Sequence, residues 1–533
     1  WIRIQSGPFE VLSPAGEKAA RHVMAEAEQL RYTFGELLGL KDPGSLWPIR
    51  ILVLKNPRAT VPGAIGMARD AWISVLDTSG ELNPEWRKAC VRILLEDNTG
   101  RLPPGVDSGL IALLSTLDAN GPKLTLGIPP PAADRTRDWA RLHLYATAPD
   151  YSGRLRVLLS NMAHGADYDV ACRNAFEKSA AEMDKRVDAY FKAGAFAPVP
   201  FSGRALADRD FVVREAAAYD GNIALADVLL ADPAKGAQAE AAYKALTGPE
   251  ATEGQAVLAE RRKDPEAPRL YQAAVKAGSK SARAMLGAGT KEGAVKAIET
   301  NPKWPDPHVR LAALATAPNV KAAELGKAAK LAPRNVELWK QSALAYAANN
   351  QFAEASKAWV AAENAAVDQQ ERERLRQIRR ENEVARADFE AAERKRVADE
   401  EARELEKLKN QGLAEVRAAE AKARTEMAKG GAVPEKPVEW WDGPAGPVAK
   451  AEGKLVRVDC LTAGRAKIVV QTAPKTTLAL AIRDPGKIAL TGGGELSLGC
   501  GPQNPARAVN VEYKPEKGAK LGAAGDVRTI EFR

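Results

Sequence analysis

The chain has 533 residues, of which 45% are hydrophobic, 27% charged and only 6% aromatic; this is the balance of soluble globular protein, and it is too long for one core. A formal net charge of +8 and a pI near 9.1 admit an acidic partner, but Lys and Arg are spread along the chain rather than gathered in a block, which argues against a dedicated nucleic-acid binder. No run of 18 apolar residues is present, so no membrane-spanning helix is expected.

At about 150 residues per domain the length predicts three or four units. Residues 1–80 alternate element types. WIRIQSGPFEVLS reads as two paired strands around Gly7-Pro8, Ser13-Pro14 opens a helix running to about Leu38, and IRILVLK and AWISVLD are further strands. Residues 83–195 read as helical, broken at Pro103-Pro104, at Pro129-Pro130-Pro131 and around Gly165.

From about Asp208 to Val367 the chain becomes a series of Ala-rich helices separated by Pro, Gly and Asn, the texture of a helical solenoid. In NVELWKQSALAYAANNQFAEASKAWVAAENAA, residues Trp339, Ala343, Tyr346, Ala355, Trp359 and Ala362 fall at the spacing of a tetratricopeptide (TPR) repeat. RLYQAAVKAGSKSARAMLG, Arg269 to Gly287, resembles a related helix pair. Residues 368–428 are a charged helix of about 90 Å if continuous. A heptad seam started at Ile378 meets Ala385, Ala392, Asp399 and Glu406 and fails, so a solvated, largely lone helical spacer is expected; a local partner contact at Leu405, Leu408, Leu413 and Val416 is the alternative. The remaining residues, 437–533, shift to short alternating strands (GKLVRVDC, RAKIVVQT, TTLALAI, RAVNVEY and DVRTIEF), which predict a small barrel or sandwich. Trp440-Trp441 at its entry is read either as a binding pair or as a cover for the barrel. Cys460 and Cys500 share this region and are either a disulfide, which an exported location allows, or two buried thiols.

The chemistry of a metallopeptidase needs two His at i and i+4 on one helix face, a Glu beside the first, and a third ligand from a later helix. The chain has no HExxH, and its histidines, His22, His143, His164 and His308, are far apart in sequence. Asp107-Ser108-Gly109 follows prolines rather than a strand, TGGGELSLGCG lacks the Lys and helix of a phosphate loop, and G-x-S-x-G is absent.

LPPGVDSGLIALLSTL, Leu102 to Leu117, nevertheless resembles the second active-site helix of the peptidase MA-like (gluzincin) domains found beside TPR repeats in exported bacterial proteins, which read approximately LPxWLxEGLAEYxSTL. The upstream strands and DYDVACRNAFEKSAAEMDKRVDAYFKAG extend the similarity over about residues 1–195. By that resemblance Ser108 stands at the ligand Glu, and the zinc-binding pentad twenty residues earlier is Lys88-Ala89-Cys90-Val91-Arg92. Both His positions are then cationic and the base position is Ala89, a set that repels Zn²⁺ and lacks a carboxylate to activate water; Lys88, Arg92 and Glu96 are expected as a surface ion-pair row.

The expectation is a mainly α, multidomain chain: a degenerate peptidase-like α+β domain (1–200), TPR-like helical repeats (208–367), a long charged helix (368–428) and a small all-β domain (437–533). Its expected function is that of a non-catalytic scaffold or adaptor, binding a protein or peptide partner through the repeats, with no cofactor and no metal. Trp339, Tyr346 and Trp359 mark the partner face unless repeat packing consumes them. Trp1 is no initiator residue, so a removed leader and a periplasmic or extracellular location are expected. The alternatives are a structural subunit of a cell-envelope or extracellular assembly, and a hydrolase with a different site in the N-terminal cleft.

Overall fold

The computed structural model describes the chain outside residues 58–59, 79–80, 152, 164, 428–446, 462–464, 494–497 and 517–521; Trp440-Trp441 and His164 therefore lie outside the described residues. Two units are present, residues 1–406 and 407–533, and no described helix is long and apolar enough to cross a membrane.

The first unit begins with β1 (Ile2–Ser6) and β2 (Phe9–Ser13), paired antiparallel around Gly7, whose positive φ the turn requires. Helix α1 (Glu17–Leu38) follows, later than the Ser13-Pro14 signal predicts: Gly16 stands at its N-cap, and the Ser13 hydroxyl instead donates to the Val53 carbonyl and accepts from the Ala15 amide. Next come β3 (Ile49–Leu54), β4 (Gly66–Met67), β5 (Trp72–Asp77), α2 (Pro84–Asn98) and α3 (Pro104–Ser115). Within the stretch read as all helical lies a hairpin, β6 (Asp118–Asn120) and β7 (Lys123–Leu126); the Asn120-Gly121 pair supplies the turn. Helices α4 (Arg137–Thr147), α5 (Arg154–Ala163), α6 (Tyr168–Phe176) and α7 (Ala180–Ala193) lead to β8 (Val199–Ser202), which pairs with β7, and β9 (Val213–Glu215).

The main sheet runs β4-β5-β3-β2-β1-β9, with β2, β3 and β5 parallel. Because β9 pairs with β1, this sheet extends beyond residue 208. Apart from Glu10 and Arg50, its inner strands β2, β3 and β5 are largely apolar on both faces, as suits parallel strands covered on both sides. Val11, Ile51 and Val53 pack toward α1, α2 and α3, whereas Leu12, Leu52 and Ile73 meet Ala224 and Val228 from the helices that follow.

Those helices are α8 (Ala218–Ala231), α9 (Gly236–Lys244), α10 (Pro249–Arg261), α11 (Ala267–Lys276), α12 (Ala282–Gly287), α13 (Lys291–Thr300), α14 (Asp306–Leu314), α15 (Pro318–Leu331), α16 (Val336–Ala348) and α17 (Phe352–Ala365). Each packs on its neighbours in sequence, the one-dimensional contact pattern expected of a helical array. Tyr rings lie directly on glycines of adjacent helices: a Cβ at Gly254 would sit 2.4 Å from the Tyr243 ring, and one at Gly326 would sit 2.1 Å from the Tyr346 hydroxyl.

A buried ion cluster ties the array to the sheet. Arg50 of β3 reaches Glu10 at 2.6 Å, Asp227 at 3.2 Å and Asp70 at 3.4 Å; Arg69 reaches Glu253 at 2.8 Å, Asp70 at 3.2 Å and Asp227 at 3.5 Å. Asp227 on α8 and Glu253 on α10 are fully buried, and the Tyr243 hydroxyl donates to Asp227 at 2.6 Å. Burial pushes the Asp227 and Glu253 carboxyls above their usual range; at Asp70 burial acts the same way, but the Arg69 and Arg50 charges outweigh it and lower that carboxyl.

The long helix α18 (Gln369–Met427) differs in part from a lone spacer. Its first turns close the end of the array: Leu375 is buried with Ala358, Trp359 and Ala362, Ile378 packs beside them, Asn382 donates to the Phe352 carbonyl, and the Phe389 and Phe352 rings are 5.4 Å apart. Farther along the same helix, Leu405, Leu408, Leu413 and Val416 are exposed.

In the second unit, β10 (Ala449–Cys460), β11 (Ala466–Ala473), β12 (Thr476–Ile482), β13 (Ala489–Gly492), β14 (Gly501–Pro515) and β15 (Gly525–Phe532) form a sheet ordered β12-β11-β10-β14-β15-β13. A parallel β12–β15 pairing closes it into a small barrel around Leu455, Ile468, Leu480, Val511 and Ile530. Cys460 and Cys500 are bonded, with Cα atoms 5.6 Å apart. The positive charge is also less evenly spread than a first reading of the chain suggests: residues 447–533 hold 14 Lys and Arg against 8 Asp and Glu, most of the net +8.

Arg69→Ala leaves the buried Glu253 without its cationic partner and Asp227 and Asp70 with Arg50 alone; it is expected to cost about 3–5 kcal/mol, read as a lower urea midpoint for the N-terminal unit by circular dichroism. Reduction of the disulfide, whose cysteines are 40 residues apart, is expected to destabilise the barrel by about 4 kcal/mol. Calorimetry of the full chain with and without reductant measures this as a downward shift of the barrel's transition alone.

Candidate functional site

Helix α2 starts at an Asn83 cap, whose side chain accepts from the Trp86 amide, with Pro84 at the first helical position. Trp86 is fully buried, and its indole N–H donates to Ser74 at 3.0 Å. This anchor fixes which face of α2 looks outward: Glu85, Lys88, Arg92, Leu95 and Glu96 share one side at helical spacing. Opposite them α3 presents Asp107, Ser108, Ile111, Ala112 and Ser115. The two faces line a cavity of about 1220 Å³ that Val61, Val75 and Leu76 extend with apolar surface, and to which Thr136, Arg334 and Val367 also contribute.

The structure thus brings Lys88, Arg92 and Ser108 to one cavity, the first two on the α2 wall and Ser108 on the α3 wall facing them. Ala89 is turned away and packs against the core, next to the fully buried Cys90. Desolvation raises the thiols of both unpaired cysteines, that of Cys172 to about 11, the environment of inert structural cysteine.

The expected ion-pair row has a different pattern. Lys88 pairs with Glu85 at 2.7 Å, and Glu96 lies 3.9 Å from Arg334. Among the described residues Arg92 makes no ion pair, and its side chain is exposed. Ser108 donates to Asp138 at 2.8 Å. Carboxylates are also more abundant here than the pentad implies, since Glu85, Glu96, Asp107 and Asp134 all line the cavity.

Arg334, in the turn between α15 and α16, is a site residue with no signal in the sequence. Its guanidinium enters the wall from the helical array, donating to both oxygens of Asp107 at 3.0 and 3.1 Å, to the Thr99 carbonyl at 3.1 Å and to the Thr99 hydroxyl at 2.6 Å. It is 5% exposed. Burial raises the Asp107 carboxyl, and the Arg334 fork opposes that rise. Asp107-Ser108-Gly109 is therefore a helix surface held by an arginine, with Asp107 committed to that pairing.

Trp339, Tyr346 and Trp359 are engaged in packing within the helical array. Trp359 is 3% exposed, Trp339 donates its indole N–H to the Pro333 carbonyl, and Tyr346 lies on Gly326. Among the described residues no group of three His, Cys, Asp or Glu is placed to hold a metal ion.

His143 has a structural task. It is fully buried between Trp139, Tyr190 and Phe196. With Nε2–H donating to the Gly127 carbonyl at 2.9 Å, Nδ1 is left to accept from the Tyr190 hydroxyl at 2.8 Å. Burial lowers its pKa below the ordinary 6.5, against the Gly127 hydrogen bond. The native state therefore binds fewer protons than the unfolded chain below pH 6.5. Stability is full above that pH and falls as pH drops through it, by up to about 1.4 kcal/mol per unit. His143→Gln is expected to flatten that slope between pH 6.5 and 5 in urea titrations, at the cost of a lower stability at pH 7.5.

Neither a model of a known protein family nor a curated protein sequence matches the chain.

Proposed function

We propose that the chain is a non-catalytic interaction scaffold or adaptor, built on a peptidase-like domain that has lost its metal chemistry and on TPR-like repeats that engage a protein or peptide partner. The observation that carries this reading is the cavity between α2 and α3: it is large and well formed, yet the residues at the would-be ligand positions are Lys88, Arg92 and a Ser108 engaged with Asp138. Two ammonium or guanidinium groups on one helix face disfavour a divalent cation. The carboxylates Glu85 and Asp107 are each committed to a cation, so their charge serves pairing instead of proton transfer.

The disulfide of the barrel supports an exported, periplasmic or extracellular setting, where such a bond persists. A second reading, a structural subunit of an envelope or extracellular assembly, is favoured by the exposed Leu405, Leu408, Leu413 and Val416 of α18.

The scaffold reading expects purified protein to contain substoichiometric zinc by plasma mass spectrometry and to leave a mixed peptide substrate pool uncleaved. Stoichiometric zinc that disappears in Lys88→Ala or Arg92→Ala would sink it. Native mass measurement separates the two readings: a monomer or a complex with a second protein favours the adaptor, and large homo-assemblies favour the structural subunit.

A further inference from the structure

The geometry points to the cleft between α2 and α3 as a receptor for an extended peptide segment that carries an acidic side chain among apolar ones, with Arg92 as its anchor. This rests on the cleft being a binding surface and not a catalytic one. Its charges can be taken one at a time. Lys88 is occupied by Glu85, and Arg334 by Asp107 and Thr99. Arg101 lies 3.9 Å from Asp107. Of the cavity's carboxylates, Glu96 is within 3.9 Å of Arg334 and Asp134 is exposed. Arg92 is left, among the described residues, as a cation at the cavity with no ion-pair partner. A guanidinium so placed presents a planar fork that matches a carboxylate.

The rest of the lining selects what that carboxylate is attached to. Val75, Leu76, Leu95, Ile111 and Ala112 give an apolar floor, which a free acidic metabolite would leave uncovered. The volume of about 1220 Å³ exceeds the roughly 300–1,000 Å³ of small-molecule pockets. A peptide in extended form places alternate side chains on one side, so one residue can reach Arg92 while its neighbours at i±2 cover the floor.

The test uses the full chain and two fluorescein-labelled nonapeptide pools, both apolar and random except for a central Glu in one and a central Gln in the other. Fluorescence anisotropy is expected to show the Glu pool binding at least about tenfold more tightly than the Gln pool, with the preference weakened by added salt. Arg92→Gln is expected to erase the preference, whereas Lys88→Gln leaves most of it. Arg92 is exposed, so the variant's thermal midpoint should match the parent and exclude misfolding as the cause. Equal affinity for the two pools, a preference that survives Arg92→Gln, or binding of laurate but of neither pool overturns the assignment. If the wild-type chain binds the Glu pool through Arg92 and also cleaves it, the cleft assignment stands and the non-catalytic reading fails; if neither pool binds, the cleft assignment falls while the zinc and native-mass measurements still decide the scaffold reading.

Discussion

Arg69 sits where the N-terminal sheet meets the helical array, and the arrangement of the whole first unit depends on its neutralisation. A guanidinium buried to this depth is tolerated only with carboxylates around it, and those come from two sources: Asp70 beside it in the sheet domain, and Asp227 and Glu253 from α8 and α10. Ion clusters of this kind contribute little net stability compared with apolar packing, but they strongly penalise any arrangement that separates the partners. The constraint therefore acts on register: the array has to start against this face of the sheet, with α8 and α10 presenting those two carboxylates. Arg334 repeats the logic at a distance, pinning the α15–α16 turn to α2 and α3. The loop before β3 adds a third tie, where Asn301 donates to the Leu46 carbonyl and the Trp47 and Trp304 rings meet at 4.9 Å.

This gives the cleft an unusual composition. Two of its lining residues, Arg334 and Val367, come from the array and its end, so the cavity is finished by elements outside the domain that supplies its floor. Of the ties that hold the array in place, the one through Arg334 is also part of the cavity wall.

Much of this was legible in the residues, and the failures have physical causes. The barrel strands were visible because β10, β11 and β15 each alternate between an apolar interior and a polar surface; β13 is short and flanked by glycines and gives no such signal. That Lys88, Arg92 and Ser108 should face one cleft was an expectation of the family resemblance alone; nothing in the residues themselves pairs α2 with α3. The β6–β7 hairpin was hidden by the helical segments on both sides, although Asn120-Gly121 is the turn signal a local reading could have used. Arg334 was invisible in principle, since one arginine after a helix looks the same whether it meets water or a buried Asp107. The start of α18 was missed for a different reason. A heptad test asks for a seam along the entire helix, whereas Leu375, Ile378, Asn382 and Phe389 form a one-sided contact confined to the first turns.

That contact settles how the array ends. Stacked helix pairs present at each terminus the same kind of apolar face that joins them internally. Left bare, Ala358, Trp359 and Ala362 would offer another copy a place to continue the stack. With the first turns of α18 laid over them, the series has a last member, and its closing apolar face is covered by the chain's own continuation.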